Sequence, residues 1–263
     1  MNVTPDSFSD GGSYLDAERA VARGLEMVAE GADVIDVGGE SSRPGAEPVP
    51  EPEELRRVLP VVEAISETAK VSIDTRKEGV ARAAVRAGAS IVNDISSKLW
   101  RVAAEEGAAY VAMHMRGDPR TMQRDPRYRD VLGEVRAFLL EAARAAQHAG
   151  VEDVWIDPGI GFGKTTEHNL TLLRGLPDLV SSGYPVLVGT SRKSFLGQIA
   201  RDPAGGPAPV RERFEASLAT AVWAMLNGAA MVRVHDVLPT VQAAVLIGEV
   251  TPGPSGPVGD RTS

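Results

Sequence analysis

The sequence predicts an α/β fold of the TIM (β/α)8-barrel class, with the first strand of the barrel absent or truncated. Three observations predict it. Seven short β-branched runs alternate with eight longer helical patterns. Six of those helical patterns stop at a glycine. Nearly every strand run ends in a polar side chain. A chain of 263 residues is also close to the usual length of one such barrel.

In chain order, the strand runs are Asp33–Val37, Val71–Asp74, Ser90–Asn93, Tyr110–Met113, Asp153–Asp157, Pro185–Gly189 and Ala230–Val234. Each is brief, apolar and flanked by Gly, Asp or Asn, as buried parallel strands are. Helices are predicted over Asp16–Glu30, Glu51–Lys70, Arg76–Ala87, Lys98–Glu106, Arg129–Ala149, Glu167–Ser181, Arg211–Asn227 and Pro239–Glu249. Gly31, Gly88, Gly107, Gly150, Gly183 and Gly228 stand at helix ends, where a left-handed residue stops the helix. A closed eight-strand barrel calls for one more strand before Asn2. An open flavodoxin-like sheet is the competing fold, but it usually has fewer strands and a shorter chain. Residues 1–250 are expected to form one barrel domain, and 251–263 a disordered tail without apolar periodicity.

Composition narrows the function. A net charge of −8 argues against nucleic acid or an anionic membrane as partner. The absence of cysteine excludes disulfides, thiolate catalysis and Cys-ligated metals. Four histidines make a His-rich zinc site improbable. Neither a signal peptide nor a bilayer-length apolar run is visible, so a cytoplasmic location is expected.

The polar strand ends carry the functional argument: Asp36, Asp74, Asn93, His114, Asp157, Ser191 with Lys193, and Arg233 with His235. In a (β/α)8 barrel these ends open onto one face, where the active site lies. Any one of them alone reads as a turn former or helix cap. As a set they do not, because unpaired carboxylates inside apolar runs are costly and call for a donor-bearing ligand. The run Asp157-Pro158-Gly159-Ile160-Gly161-Phe162-Gly163-Lys164 is no Walker A loop. It reads as backbone that approaches a ligand closely, with Phe162 free to pack on that ligand. Gly189-Thr190-Ser191-Arg192-Lys193-Ser194 follows a strand and opens a helix, which suits an anion. Arg233 and His235 share a side by period-two alternation.

These motifs, with Asn2–Gly12, Asp36–Gly45, Ser72–Thr75, Asn93–Ile95 and Met113–Met115, resemble in order those of the dihydropteroate synthases. The likeness runs from about residue 2 to 249. It implies 6-hydroxymethyl-7,8-dihydropterin diphosphate and 4-aminobenzoate as substrates, 7,8-dihydropteroate and diphosphate as products, Mg2+ as cofactor and a homodimer. By position, the resemblance gives the pterin to Asp74, Asn93, Asp157, Met113, Lys193 and Arg233. It gives the diphosphate to Asn2, Ser42, Arg233 and His235, with Asn2 on the metal. Phe8, Arg43, Pro44, Phe162 and Ser194 would form the 4-aminobenzoate site. The catalytic groups would be Lys193, Arg233, His235 and Asp10.

The implied chemistry is a dissociative substitution. Diphosphate leaves, a pterin-methyl cation forms with a carboxylate such as Asp10 nearby, and the aniline nitrogen attacks. A non-catalytic pterin-binding paralogue and a pterin-dependent methyltransferase are the alternatives. The first is motivated by the lacking strand and by the short, glycine-poor segment Ile95–Trp100.

Overall fold

The computed structural model describes residues 13–41, 45–201 and 205–250. Asn2, Phe8, Asp10, Ser42, Arg43, Pro44 and the tail at 251–263 lie outside the described residues. So does the position expected for an opening strand.

Among the described residues, seven strands run parallel and in sequence order. They are β1 (Val34–Val37), β2 (Lys70–Thr75), β3 (Ile91–Asp94), β4 (Ala109–Met113), β5 (Val154–Asp157), β6 (Leu187–Val188) and β7 (Met231–Val232). β1 to β5 form one ladder and β6–β7 another, with the parallel bridge Ile156–Val186 joining the two. Among the described residues nothing pairs β7 with β1 through the backbone. Side chains span that seam instead: Arg233, just after β7, donates through Nη1 to Asp36 of β1 at 2.8 Å. The sheet therefore curves round until its ends face each other, as in a barrel.

The helices are α1 (Ser13–Ala29), α2 (Glu51–Ser66), α3 (Glu78–Arg86), α4 (Trp100–Glu106), α5 (Val131–His148), α6 (Thr166–Arg174), α7 (Leu176–Val180), α8 (Ser194–Ile199), α9 (Phe214–Leu226) and α10 (Val237–Val250). All six predicted glycine stops take positive φ, from 70° at Gly107 to 115° at Gly88. Asp130 caps α5 by accepting from Gly133 N at 3.1 Å, and Thr165 and His168 form a capping box on α6.

Two helical expectations change. The helix predicted over 167–181 breaks at Gly175, where an added Cβ would lie 2.6 Å from Leu132, and Pro177 follows without an N–H to donate. The one predicted from Arg211 opens as a 3-10 turn, Val210–Glu212, and becomes α-helical only at Phe214.

Alternation along the strands sorts core from site. Ile35, Val37, Val71, Ile73, Val92, Tyr110, Ala112, Val154, Ile156, Val186 and Val188 pack in one cluster with Val58, Val61, Ile65, Val80, Leu139 and Leu172 of the helices. The residues between them face the other way, into the barrel. Register sets them side by side: Asp36 with Ser72, Asp74 with Asn93, Met113 with Asp157. The same parity turns Asp94 and His114 outward, toward the helices.

Candidate active site

Five of the expected pterin residues meet at the strand ends. Arg233 Nη1 donates to Asp36 Oδ2 at 2.8 Å and to Asp74 Oδ2 at 3.1 Å. Asn93 Nδ2 donates to Asp36 at 3.3 and 3.4 Å. That leaves Asn93 Oδ1, among the described residues, as the buried side-chain polar atom with no partner. Asp157 Oδ1 accepts from Gly159 N at 2.7 Å. Lys193 Nζ donates to Ile160 O and stands 4.6 Å from the centre of the Phe162 ring. A Cβ on Gly189 would lie 3.8 Å from Lys193 Nζ and 3.9 Å from Arg233 Nε, so the two cations flank this residue. Met113, Ile95, Met122 and Phe162 form an apolar wall of their own.

Burial dominates the electrostatics. It pushes the Asp74 carboxyl above its usual range, with Asp36 adding repulsion and Arg233 opposing both. Burial likewise raises Asp157 against the pull of Lys193. It draws the Lys193 ammonium down to about 7, with Asp157 holding it up. Arg233 is pushed up: Asp36, Asp74 and Asp157 outweigh its own desolvation. A flat polar heterocycle that presents N–H donors fits such carboxylates, and a neutral acceptor such as Asn93 Oδ1 adds shape-specific recognition.

Of the residues expected to bind diphosphate, Arg233 and His235 are among those described. His235 Nδ1 lies 2.9 Å from Ser191 Oγ, which also accepts from His235 N at 3.2 Å. Packing about the ring, and the Arg192 guanidinium next, hold this imidazole below its usual range. The two cations of the Gly189–Ser194 run, Arg192 and Lys193, point different ways. Arg192, at a left-handed φ of 59°, pairs with Asp236 at 2.7 Å, and only Lys193 turns to the pocket. Ser194 is exposed at the start of α8, which is six residues long.

The glycine-rich loop is tightly packed within the protein. Its close approach is to the protein's own backbone. A Cβ on Gly159 would stand 1.8 Å from His114 O, and one on Gly163 would stand 2.3 Å from Arg116 O. Phe162 is 7% exposed and packs with Ile95, Met113 and Met122. Ile95–Trp100 is short but organised. Asp94 Oδ1 accepts from Ser96 N and Oγ at 2.8 and 2.6 Å, and Oδ2 accepts from Lys98 N, Leu99 N and Tyr110 OH at 2.6, 2.6 and 3.0 Å.

Sequence reasoning placed Asp36 among the strand ends but not among the site residues. It is the shared acceptor of Arg233 and Asn93, and its register beside Ser72 is the feature that could have found it. A buried anchor, Glu54, was also unforeseen. It takes Lys77 Nζ and, at 2.8 Å, Thr75 Oγ1, while Lys77 also reaches Glu40 at 2.6 Å.

Comparison with known proteins agrees with this arrangement. The profile of the family described as "Pterin binding enzyme" matches residues 1–235. Dihydropteroate synthase of Mycobacterium leprae is 48% identical over 257 residues, covering 94% of this chain and 90% of its own. Among solved structures, Thermus thermophilus dihydropteroate synthase in complex with 4-aminobenzoate superposes with a TM-score of 0.85 at 44% identity, covering 95% and 92% of the two chains. The Xanthomonas albilineans enzyme in complex with 7,8-dihydropteroate gives 0.82 at 42% identity, with the same coverage. A parallel barrel, carboxylates and an Asn amide on one interior face, and likeness along almost the whole length all lead to one assignment: this chain belongs to the dihydropteroate synthase family of pterin-binding enzymes.

Proposed function

We propose that this chain joins 6-hydroxymethyl-7,8-dihydropterin diphosphate to 4-aminobenzoate, giving 7,8-dihydropteroate and diphosphate for folate synthesis. The observation that carries the reading is the unpartnered Asn93 Oδ1 beside the carboxylates of Asp74 and Asp157. Together they form a buried acceptor set for the amino and ring N–H groups of a pterin. Lys193 donates to the ring's acceptor edge, Met113 lines the pocket, and Arg233 covers the ring face while its charge opposes the carboxylates. Residues 1–250 act as one pterin-binding unit.

At the other end, Arg233 and His235, with Asn2 and Ser42, receive the diphosphate. Its departure leaves a methylene cation that the carboxylate-lined site stabilises, and Asp10 is assigned the nearest carboxylate. The neutral aniline nitrogen then attacks, held by Phe162, Ser194 and the segments bearing Phe8, Arg43 and Pro44. No side-chain nucleophile is needed, so placement and electrostatics do the catalytic work.

Mg2+ belongs to the proposal as neutralising charge on the diphosphate, with Asn2 its protein ligand. Among the described residues no group of three or more His, Asp or Glu could hold a metal, so they form no cage for it.

A homodimer is part of the same reading. Trp223 and Leu226 of α9 and Val245 and Leu246 of α10 are exposed, at 47%, 54%, 63% and 62%, on helices that pack against each other. A second copy would cover such an apolar face. Sedimentation of wild type against Val245→Glu tests this, and a wild-type monomer rejects it. No helix among the described residues is long and apolar enough to cross a membrane.

The deciding experiment is diphosphate release from the pterin substrate with and without 4-aminobenzoate. Release that depends on 4-aminobenzoate and yields dihydropteroate is expected. Tight pterin binding with no release, or methyl transfer from a methylated folate, would replace the proposal.

A further inference from the structure

Lys164 closes the glycine-rich loop, and nothing in the reaction above uses it. Its side chain is buried, 3% exposed. Nζ lies 2.9 Å from His114 Nδ1, 3.2 Å from His114 O, 3.0 Å from Gly159 O and 3.1 Å from Phe162 O. Three main-chain carbonyls and a ring nitrogen thus converge on one ammonium, and no carboxylate is among its contacts. Since Nδ1 faces a donor, it accepts, and the His114 ring is neutral with its proton on Nε2. Burial, then the Lys164 charge, keeps this imidazole down at about 3. The ring is braced edge-on by Phe138 at 5.0 Å.

The loop has two ends with different supports. Asp157 is the last residue of β5, and its carbonyl accepts from His114 N at 3.0 Å in the strand ladder. Phe162 has no such ladder. Its N–H reaches Gly159 O at 3.0 Å, and its carbonyl is gathered by Lys164. Its ring lies under Lys193 Nζ.

We infer that Lys164, braced by His114, is a positioning residue for the 4-aminobenzoate side of the site, because its ammonium draws in the Gly159 and Phe162 carbonyls and so sets where the Phe162 ring stands. This rests on the proposed function, in which Phe162 touches 4-aminobenzoate. Burial draws the Lys164 ammonium down to about 7, so the charged clamp is fullest in slightly acidic solution and weakens as pH rises through neutrality.

The test is a double-mutant cycle read by diphosphate release, with separate calorimetry of the pterin substrate. Lys164→Met is expected to raise the KM for 4-aminobenzoate about ten-fold, because the Phe162 carbonyl loses the ammonium and the Gly159 carbonyl keeps only the Phe162 N–H. Its affinity for the pterin substrate is expected to stay within about three-fold of wild type, since the strand ladder holds Asp157. In a Phe162→Ala background the same change should add less than about two-fold, because the pathway through Phe162 is already gone.

An unchanged KM, an equal loss of affinity for both substrates, or a full additive effect on top of Phe162→Ala would overturn the inference. If Lys164→Met does not fold, His114→Leu and His114→Asn decide. Leu removes the Nδ1 acceptor and should raise the 4-aminobenzoate KM, whereas Asn keeps an acceptor and should restore it. Equal KM values in the two variants would reject the clamp. A wild-type chain that releases no diphosphate would remove the proposed reaction and the inference together. Wild-type turnover with indifferent variants would remove the inference alone.

Discussion

Replacing Asp74 by Asn should separate stability from function. Asp74 is 9% exposed, accepts from Arg233 at 3.1 Å, and shares its surroundings with Asp36. The Asn side chain is nearly isosteric and uncharged. Binding loses a charge-assisted hydrogen bond from the pterin, worth about 1.5–3 kcal/mol, so affinity should fall about 10–150-fold.

Stability should move the other way. The folded-state pKa of Asp74 is raised from 3.8 by burial and by Asp36. A raised carboxyl contributes stability that is complete below its unfolded value and is lost as pH rises through the folded one. At pH 8 the ionised wild-type group therefore costs stability that the amide does not, and Arg233 keeps its 2.8 Å pair with Asp36. Thermal unfolding should show Asp74→Asn at least as stable as wild type at pH 8, with the gap narrowing at pH 5. Calorimetry with the pterin substrate and a diphosphate-release assay complete the measurement. Unchanged pterin affinity, or a Tm several degrees lower at pH 8, would refute the reasoning.

Three further predictions follow from the same geometry. Because burial holds Lys193 at about 7, binding an anionic diphosphate at pH 8 should raise it and take up as much as about one proton. Calorimetry in buffers of different ionisation enthalpy reads this, and proton release would contradict it. Gly159→Ala should destabilise the fold by about 2–4 kcal/mol, because a Cβ at φ 64° would stand 1.8 Å from His114 O. Gly107→Ala, with open space around it, should lose only the cost of the left-handed backbone, about 1 kcal/mol, and equal losses in chemical denaturation would reject the contrast. Sulfonamides, which imitate 4-aminobenzoate, should inhibit competitively against it, and inhibition insensitive to 4-aminobenzoate would count against the second-substrate site.

The sequence by itself determined the order of elements, the glycine stops and the polar residues closing the strands. These are local properties: period-two alternation tells which residues leave the helix-covered face, and a left-handed stop depends on one backbone position. It also carried, through ordered motifs, the family. Tertiary structure alone decided which polar groups meet. Asp36 and Arg233 are far apart in the chain, and only the curvature of the whole sheet brings them to 2.8 Å. Likewise, only packing turns Arg192 to Asp236, away from the pocket, and sets Lys164 beneath the loop it closes. Adjacent residues of one motif thus divide between the pocket and the surrounding framework, because a single-residue step along a strand or tight turn reverses the direction of the side chain.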